Sequence, residues 1–457
     1  MSHSSQEFLK EAETESFDNE LHRKLNYNIL QYSNTVKKGV LQYNDVEVAK
    51  QRAKNIKWKT MENLDKYLIE FEKKFTANGG KVIWAETTEQ AQQEIKKILQ
   101  EKNCKRLVKS KSMITEEIHL NDFLAKENIE SVETDLGEYI QQMDGEPPFH
   151  IVTPAMHKSK EDAARVFHEH HGTPLTATPQ ELTMFARKTL REKYVTAEVG
   201  VTGANFIVAD VGGILVLENE GNARLCTAFP KTHIVIVGIE KMIPSIYDLN
   251  VFLPLLSTYG TGQQVSVNNA LFMGPRQENE VDGPDEMYVV LLDNGRTNLL
   301  AQAEQREALY CIRCGACLNA CPVYKNIGGF SYGTTYTGPI GSVISPHLKG
   351  MEEFKHLSYA SSLCGNCTEV CPMKINLHNL LVINRHDAVK EGHFNRAEKI
   401  GWDAWRRGML SRKMMNMASA KTKNFLLNFL FKKTWGKRRA MPMVYKSFNE
   451  RWNNGKS

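Results

Sequence analysis

The 457-residue sequence has no run of about 18 apolar residues, the length a membrane-crossing helix needs; its longest apolar stretch, residues 425–431, is interrupted by Asn428. The first residues are polar with no apolar core, so no secretory signal is expected. Cysteine is scarce, at nine residues, and only Cys104 and Cys226 lie outside one short stretch. That distribution excludes a disulfide scaffold; it points to free thiolates in a reducing, cytoplasmic setting, with Cys104 and Cys226 as inert core. No G-x-G-x-x-G run follows a candidate strand, which excludes the dinucleotide fingerprint. No nucleic-acid recognition motif accompanies the basic residues, which leaves nucleic acid out as a partner.

What is present is ordinary in amount and uneven in placement. Apolar content of 41% and charged content of 24% suit a globular chain of about three domains. Residues 401–457 hold 14 Lys and Arg against Asp403 and Glu450. This tail therefore carries +12 against +5 for the whole chain, and the first 400 residues carry −7. The apolar run at 425–431, followed by Lys432, Lys433, Lys437, Arg438 and Arg439, suits an anionic membrane surface or an acidic partner.

The chemistry is concentrated in residues 311–371. Cys311, Cys314, Cys317, Cys321 and Pro322 make a complete C-x2-C-x2-C-x3-C-P run, and after 42 residues Cys364, Cys367, Cys371 and Pro372 repeat it without the first cysteine. Paired C-x2-C steps also bind zinc, but a three-step run closing on Cys-Pro has no part in zinc sites. In two-cluster ferredoxin runs the cysteine before proline ligates the other cluster. Read that way, Cys311, Cys314, Cys317 and Cys371 hold one iron–sulfur cluster, and Cys321, Cys364 and Cys367 hold a second. The absent cysteine projects onto Ser361. Three thiolates suit either a [3Fe–4S] centre or a [4Fe–4S] centre whose fourth ligand is Ser361, water or substrate.

Ahead of the cysteines, helical spacing over residues 1–78 places Leu64, Tyr67, Leu68 and Phe71 on one face. It predicts a helical extension packed on the domain that follows, closed by Asn78-Gly79-Gly80. Residues 79–300 alternate strands and helices, which implies a covered parallel sheet. Strands are expected at 82–84, 106–108, 131–134, 150–152, 233–238 and 287–292, and helices at 88–101, 115–126, 181–197 and 297–310. Two further strands are expected to join through Gly212-Gly213. Ligands bind beyond the carboxyl ends of such strands, where Lys109, Ser110, Lys111, Ser112 and Met113 would meet an anion. Glu218, Glu220, Lys231, Glu240 and Lys241 are further candidates to line a site. His168, His170 and His171 fall at a polar helix end and read as solvated. The glycines of 328–341 would let backbone N–H groups approach cluster sulfurs. Residues 301–385 form the cluster domain, and 386–457 a basic helical tail.

The segment Lys109-Ser-Lys-Ser-Met113, Thr115 to Asn121, Glu133 to Ile140, Gly200 to Asn222 and Asp293-Asn-Gly-Arg296 resembles a LUD domain. Joined to the seven cysteines, the chain resembles the lactate utilisation protein B family over about residues 60–380. The resemblance implies an α/β domain like the ribose-isomerase/CoA-transferase group, followed by a helical ferredoxin-type domain. It implies two [4Fe–4S] clusters, one on Cys311, Cys314, Cys317 and Cys371 and one on Cys321, Cys364 and Cys367. It implies an electron carrier for NAD-independent oxidation of L-lactate to pyruvate, working with a cysteine-rich companion and a second LUD protein. Two other readings stay open: the LUD domain itself binds and oxidises lactate, or the clusters serve a redox sensor or scaffold.

Overall fold

The computed structural model describes residues 2–431 and 443–454. It opens with four helices: α1 (His3–Glu15), α2 (Asn19–Val40), α3 (Val46–Glu62) and α4 (Leu64–Ala77). Asp18 and Asp45 cap α2 and α3 by accepting from the backbone N–H groups two and three residues on. Leu21, Leu25 and Ile29 bury one stripe of α2, and Leu64, Leu68, Phe71 and Phe75 one stripe of α4. The helices do more than pack on the domain that follows. In α1, Ser4 N–H donates to the Glu353 carboxylate at 2.8 Å and Phe8 packs edge-on against Tyr332. In α3, Lys54 pairs with Glu307. Tyr32 also donates to Tyr259 O at 2.8 Å and Lys57 to Met242 O at 3.1 Å, so the extension clasps the α/β domain and the cysteine domain together.

Ten strands follow among the described residues: β1 (Lys81–Ala85), β2 (Arg106–Lys109), β3 (Glu130–Glu133), β4 (Val199–Thr202), β5 (Phe206–Val208), β6 (Gly213–Glu218), β7 (Thr232–Gly238), β8 (Met242–Ile243), β9 (Asn268–Phe272) and β10 (Glu286–Leu292). Six form an all-parallel sheet in the order β1-β10-β7-β4-β2-β3. Every residue of β7 is buried, as the unbroken apolar run His233–Gly238 requires of a central parallel strand. The other four make a second sheet, β8-β5-β6-β9, which the sequence reading did not anticipate beyond its Gly212-Gly213 hairpin. Gly212 has φ +60° and lies so close to the backbone of α4 at Lys74 and Phe75 that a side chain there would collide with it.

Three expectations are corrected. Residues 150–152 form no strand; His150 instead accepts from the N–H groups of Val152 and Thr153 on Nδ1, at 3.1 Å each, and bends the chain. The helix expected at 115–126 is two, Met113–Glu117 and Leu120–Lys126, because His119 adopts a left-handed φ of +48° between them. The helix expected at 297–310 is likewise split into Arg296–Ala301 and a 3-10 turn, Gln305–Tyr310, that delivers the chain to Cys311.

The stretch between the cysteine runs is mostly helical, and Gly338–Lys349 is buried from Gly338 to Pro346. The described chain divides after Ala388. The second part contains helices Arg396–Leu410, Arg412–Met415, Ala420–Phe431 and Phe448–Asn454. Lys432, Lys433, Lys437, Arg438 and Arg439 lie outside the described residues. No described helix is long and apolar enough to cross a membrane.

Candidate functional site

Four of the seven cysteines surround one small cavity: Cys311, Cys314, Cys317 and Cys371, closed by Ile151, Ile312, Ile340, Met373 and Ile375. Left-handed turns at Arg313 (φ +61°) and Gly315 (φ +77°) coil the chain tightly enough for successive thiols to face inward. The sulfurs meet backbone donors. Arg313 N–H lies 3.4 Å from Cys311 Sγ, Ile340 N–H reaches Cys317, and the N–H groups of Ile375 and Met373 reach Cys371. Ile340 belongs to the glycine-bearing stretch expected to bring N–H groups to sulfur. Burial, then the neighbouring thiols, holds Cys314 and Cys317 well above the usual thiol range, and burial first also pushes Cys371 up to about 12. Four thiolates in so dry a pocket need a cationic core to hold them charged, and amide donors to sulfur suit an iron–sulfur core. No group of three or more His, Cys, Asp or Glu among the described residues is arranged for a lone metal ion, the cysteines and His168, His170 and His171 included. His168 and His171 bond Thr173 O and Tyr139 Oη instead.

Cys321, Cys364 and Cys367 form the other set. Burial, then Cys321 and Cys364, pushes the Cys367 thiol up to about 11. Pro322 starts a helix whose Val323 and Tyr324 N–H groups point at Cys321. Cys364 is exposed, and its thiol is pulled below the usual range by the Asn366 N–H and the Ser362 hydroxyl. Ser361 Oγ accepts from Leu363 N–H at 3.1 Å in the turn just before it. Cys104 and Cys226 are buried core thiols, each pushed up to about 12 by burial.

Beside the first cavity lies a larger one of about 540 Å³, at the carboxyl ends of β2, β4 and β7. Of the charged candidates, Glu218, Glu220, Glu240 and Lys241 line it. Lys231 does not; it is exposed beside Asp285. Of the five residues expected to meet an anion, four line the cavity, Met113 among them. Ser110, Lys111 and Ser112 face the cavity, with Lys111 donating to Val152 O at 2.6 Å. Lys109 is buried away from it; burial opposes its charge, but Glu133 (2.7 Å) and Glu116 (3.1 Å) hold the ammonium above its usual range.

Between the two cavities runs a buried ionic chain. Arg296 grips Glu117 with both terminal nitrogens (2.9 and 2.8 Å) and donates from Nε to Glu240. Glu240 then faces Arg313 at 3.4 Å, whose guanidinium stacks 4.3 Å over the Tyr336 ring. Gly238 makes room for this, since a Cβ there would strike the Glu240 carboxylate. Burial alone would raise the Glu240 pKa, but Arg296 and Arg313 pull it down to about 2. Lys57 donates to the carbonyls of Glu240 and Met242 and is lowered to about 7, chiefly by burial. Lys241 is lowered to about 8, again by burial first and then by Arg313. Sequence reasoning missed Glu117, Arg313 and Tyr336 as members of a site. The available signals were the arginine inside a cysteine run and the Asp293-Asn-Gly-Arg296 turn closing β10.

The comparisons agree with the geometry. Residues 68–292 match the LUD domain family, and residues 307–375 match the 4Fe-4S dicluster domain. Lactate utilization protein B of Bacillus velezensis is 46% identical over 372 residues, 81% of this chain and 78% of that one. The protein of the same name in Bacillus subtilis is 46% identical over 369 residues, covering 80% and 77%. The uncharacterized electron transport protein YkgF of Escherichia coli is 45% identical over 350 residues, covering 77% and 74%.

Proposed function

The chain belongs to the lactate utilization protein B family, with a LUD domain and a 4Fe-4S dicluster domain, and from that premise we propose that it carries electrons in the NAD-independent oxidation of L-lactate to pyruvate. One observation bears most of the weight. The cysteine before the second proline, Cys371, lines the same cavity as the first three cysteines of the other run, 54 residues or more away in sequence. Cys311, Cys314, Cys317 and Cys371 would hold one [4Fe–4S] cluster, and Cys321, Cys364 and Cys367 the other. Bound there, the clusters would supply one-electron transfer. The chain's own residues supply the surroundings: Ile340, Met373 and Ile375 donate backbone N–H to sulfur and exclude water from the first site. The exposed Cys364 puts the second site within reach of a redox partner. The related YkgF carries electron transport in its name.

Residues 1–78 serve as the clasp, 79–300 as the LUD domain, 301–385 as the cluster domain and 386–457 as the tail. A cysteine-rich subunit and a second LUD protein are the companions, and lactate's electrons are the input to this chain. Placement at an acidic partner or the inner face of the membrane rests on the charge of residues 401–457 alone. A second reading, lactate bound by the LUD domain itself, draws on the 540 Å³ cavity with Lys241 and Arg313 in its wall.

Anaerobic protein, given L-lactate alone and then with the two companions, separates them by electron paramagnetic resonance. The carrier reading expects cluster reduction only with the companions. Reduction by lactate alone transfers the catalysis to this chain, and no reduction in either mixture sinks both.

A further inference from the structure

The surroundings of the two cysteine sets differ in charge. Near Cys311 four buried or largely buried cations, Lys57, Lys241, Arg296 and Arg313, face two buried carboxylates, Glu117 and Glu240. Lys57, Lys241 and Arg313 all lie within electrostatic reach of the Cys311 sulfur. Lys349, beside Glu117, adds to the same sign, while Lys54 and Glu307, near Cys371, cancel each other. Part of the positive excess has no protein partner. Arg313 Nη1 is buried without a hydrogen bond, and the half-buried Lys241 side chain lines the larger cavity with no hydrogen bond or ion pair among the described residues. Among the described residues there is no such cluster around Cys321, Cys364 and Cys367; Lys325 is the cation that acts on Cys321, and Cys364 opens to solvent.

An excess of buried cations with unused donors needs an anion. Four thiolates around an iron–sulfur core are anionic, and reduction adds one more negative charge. We propose that the LUD domain, with Lys57 of the N-terminal extension, provides the counter-charge of the first cluster: Lys57, Lys241 and Arg296 lean on Arg313 and Cys311, raising that cluster's reduction potential while leaving the second cluster's alone. Glu240 and Glu117 limit the effect. The α/β domain is then an electrostatic part of the electron-transfer unit, not only a neighbour. This rests on the ligand sets proposed above. Arg313 acts from the turn between two of those ligands; Lys241 and Glu240 act as positioning and charge residues from the end of β7.

The test is a redox titration of full-length, anaerobically prepared protein followed by paramagnetic resonance, with Cys367→Ser used to identify the second cluster's signal. One charge at such range in a buried site shifts an equilibrium about tenfold or more, which for a one-electron couple is about 59 mV per tenfold. Arg313→Gln should lower the first cluster's reduction constant about tenfold, Arg313→Lys should restore most of it, and Glu240→Gln should move it the opposite way. Lys241→Met removes a cation that bonds nothing among the described residues, so it guards against an Arg313→Gln protein that does not assemble, and it too should lower the constant. Shifts of one sign in all variants, equal shifts in both clusters, or none would overturn the proposal. Iron-free wild-type protein would instead overturn the ligand assignment on which it stands.

Discussion

Tyr336, from the segment between the two cysteine runs, donates its hydroxyl to the Glu117 carboxylate of the α/β domain at 2.6 Å, and both groups are buried. This contact ties the two domains at the point where each turns its charges inward. Burial raises the phenol's pKa well above its usual value, so the hydroxyl stays the donor and the carboxylate the acceptor.

Tyr336→Phe keeps the ring under Arg313 but leaves a buried carboxylate one donor short. A hydrogen bond to a charged group is worth about 1.5–3 kcal/mol. Denaturant unfolding of the cluster-loaded protein should show a loss in that range, with iron content unchanged.

Gly238→Ala places a methyl where the Glu240 carboxylate and Arg296 Nε now sit. Neither can move without uncoupling a buried pair, so a cost of about 1–3 kcal/mol for the overpacking alone is expected. The measurable outcome is a lowered midpoint in urea. An unchanged midpoint would mean that the close approach at the end of β7 is slack.

Interleaved ligation predicts an asymmetric result from single cysteine changes. Cys371→Ser, in the second run, should cost the cluster held by the first run, reducing bound iron from about eight atoms to about four and leaving the signal of the other set. Cys367→Ser should do the reverse. If Cys371→Ser instead removes the signal that Cys364→Ser removes, the pairing is wrong.

His233 is buried in β7, with Nε2 2.8 Å from Thr202 Oγ1 and its ring against Phe272. Burial lowers its pKa to about 3 from 6.5. A group depressed in the folded state adds stability that is complete above its unfolded pKa and is lost as pH falls toward the folded one. Between pH 7 and pH 5 the unfolded chain takes up this proton and the folded chain does not, so about 2 kcal/mol should be lost. Unfolding curves at the two pH values should differ by about that much less in His233→Gln.

The acidic limit has a second source. Glu240, held near 2 by Arg296 and Arg313, and Glu117, lowered against its own burial by Arg296, stabilise the fold above pH 4.5. That contribution declines as pH drops toward 2. Cluster release measured by the loss of visible absorbance should steepen in that window, after the histidine-linked decline has run much of its course.

The cysteine spacing was legible because ligation to an inorganic core imposes a local rule, one thiol per turn and a proline to start the next helix. Unbroken apolar runs likewise revealed β7 and β10, and helical spacing revealed the extension whose Leu64, Leu68 and Phe71 share a face, since burial leaves its mark on neighbouring positions. His119 and residues 150–152 escaped that reading: a left-handed turn and a chain bent around an imidazole are decided by long-range fit, not by periodicity. So was the chain from Glu117 through Arg296 and Glu240 to Arg313 and Tyr336. Its members are up to 219 residues apart, and isolated charges in a sequence do not say which will share a dry interior. By itself the sequence determined the type of chemistry and the elements that carry it. Only the tertiary structure decided which charges face the first cysteine set, because the strength of an electrostatic interaction depends on distance and exclusion of water, and neither is written along the chain.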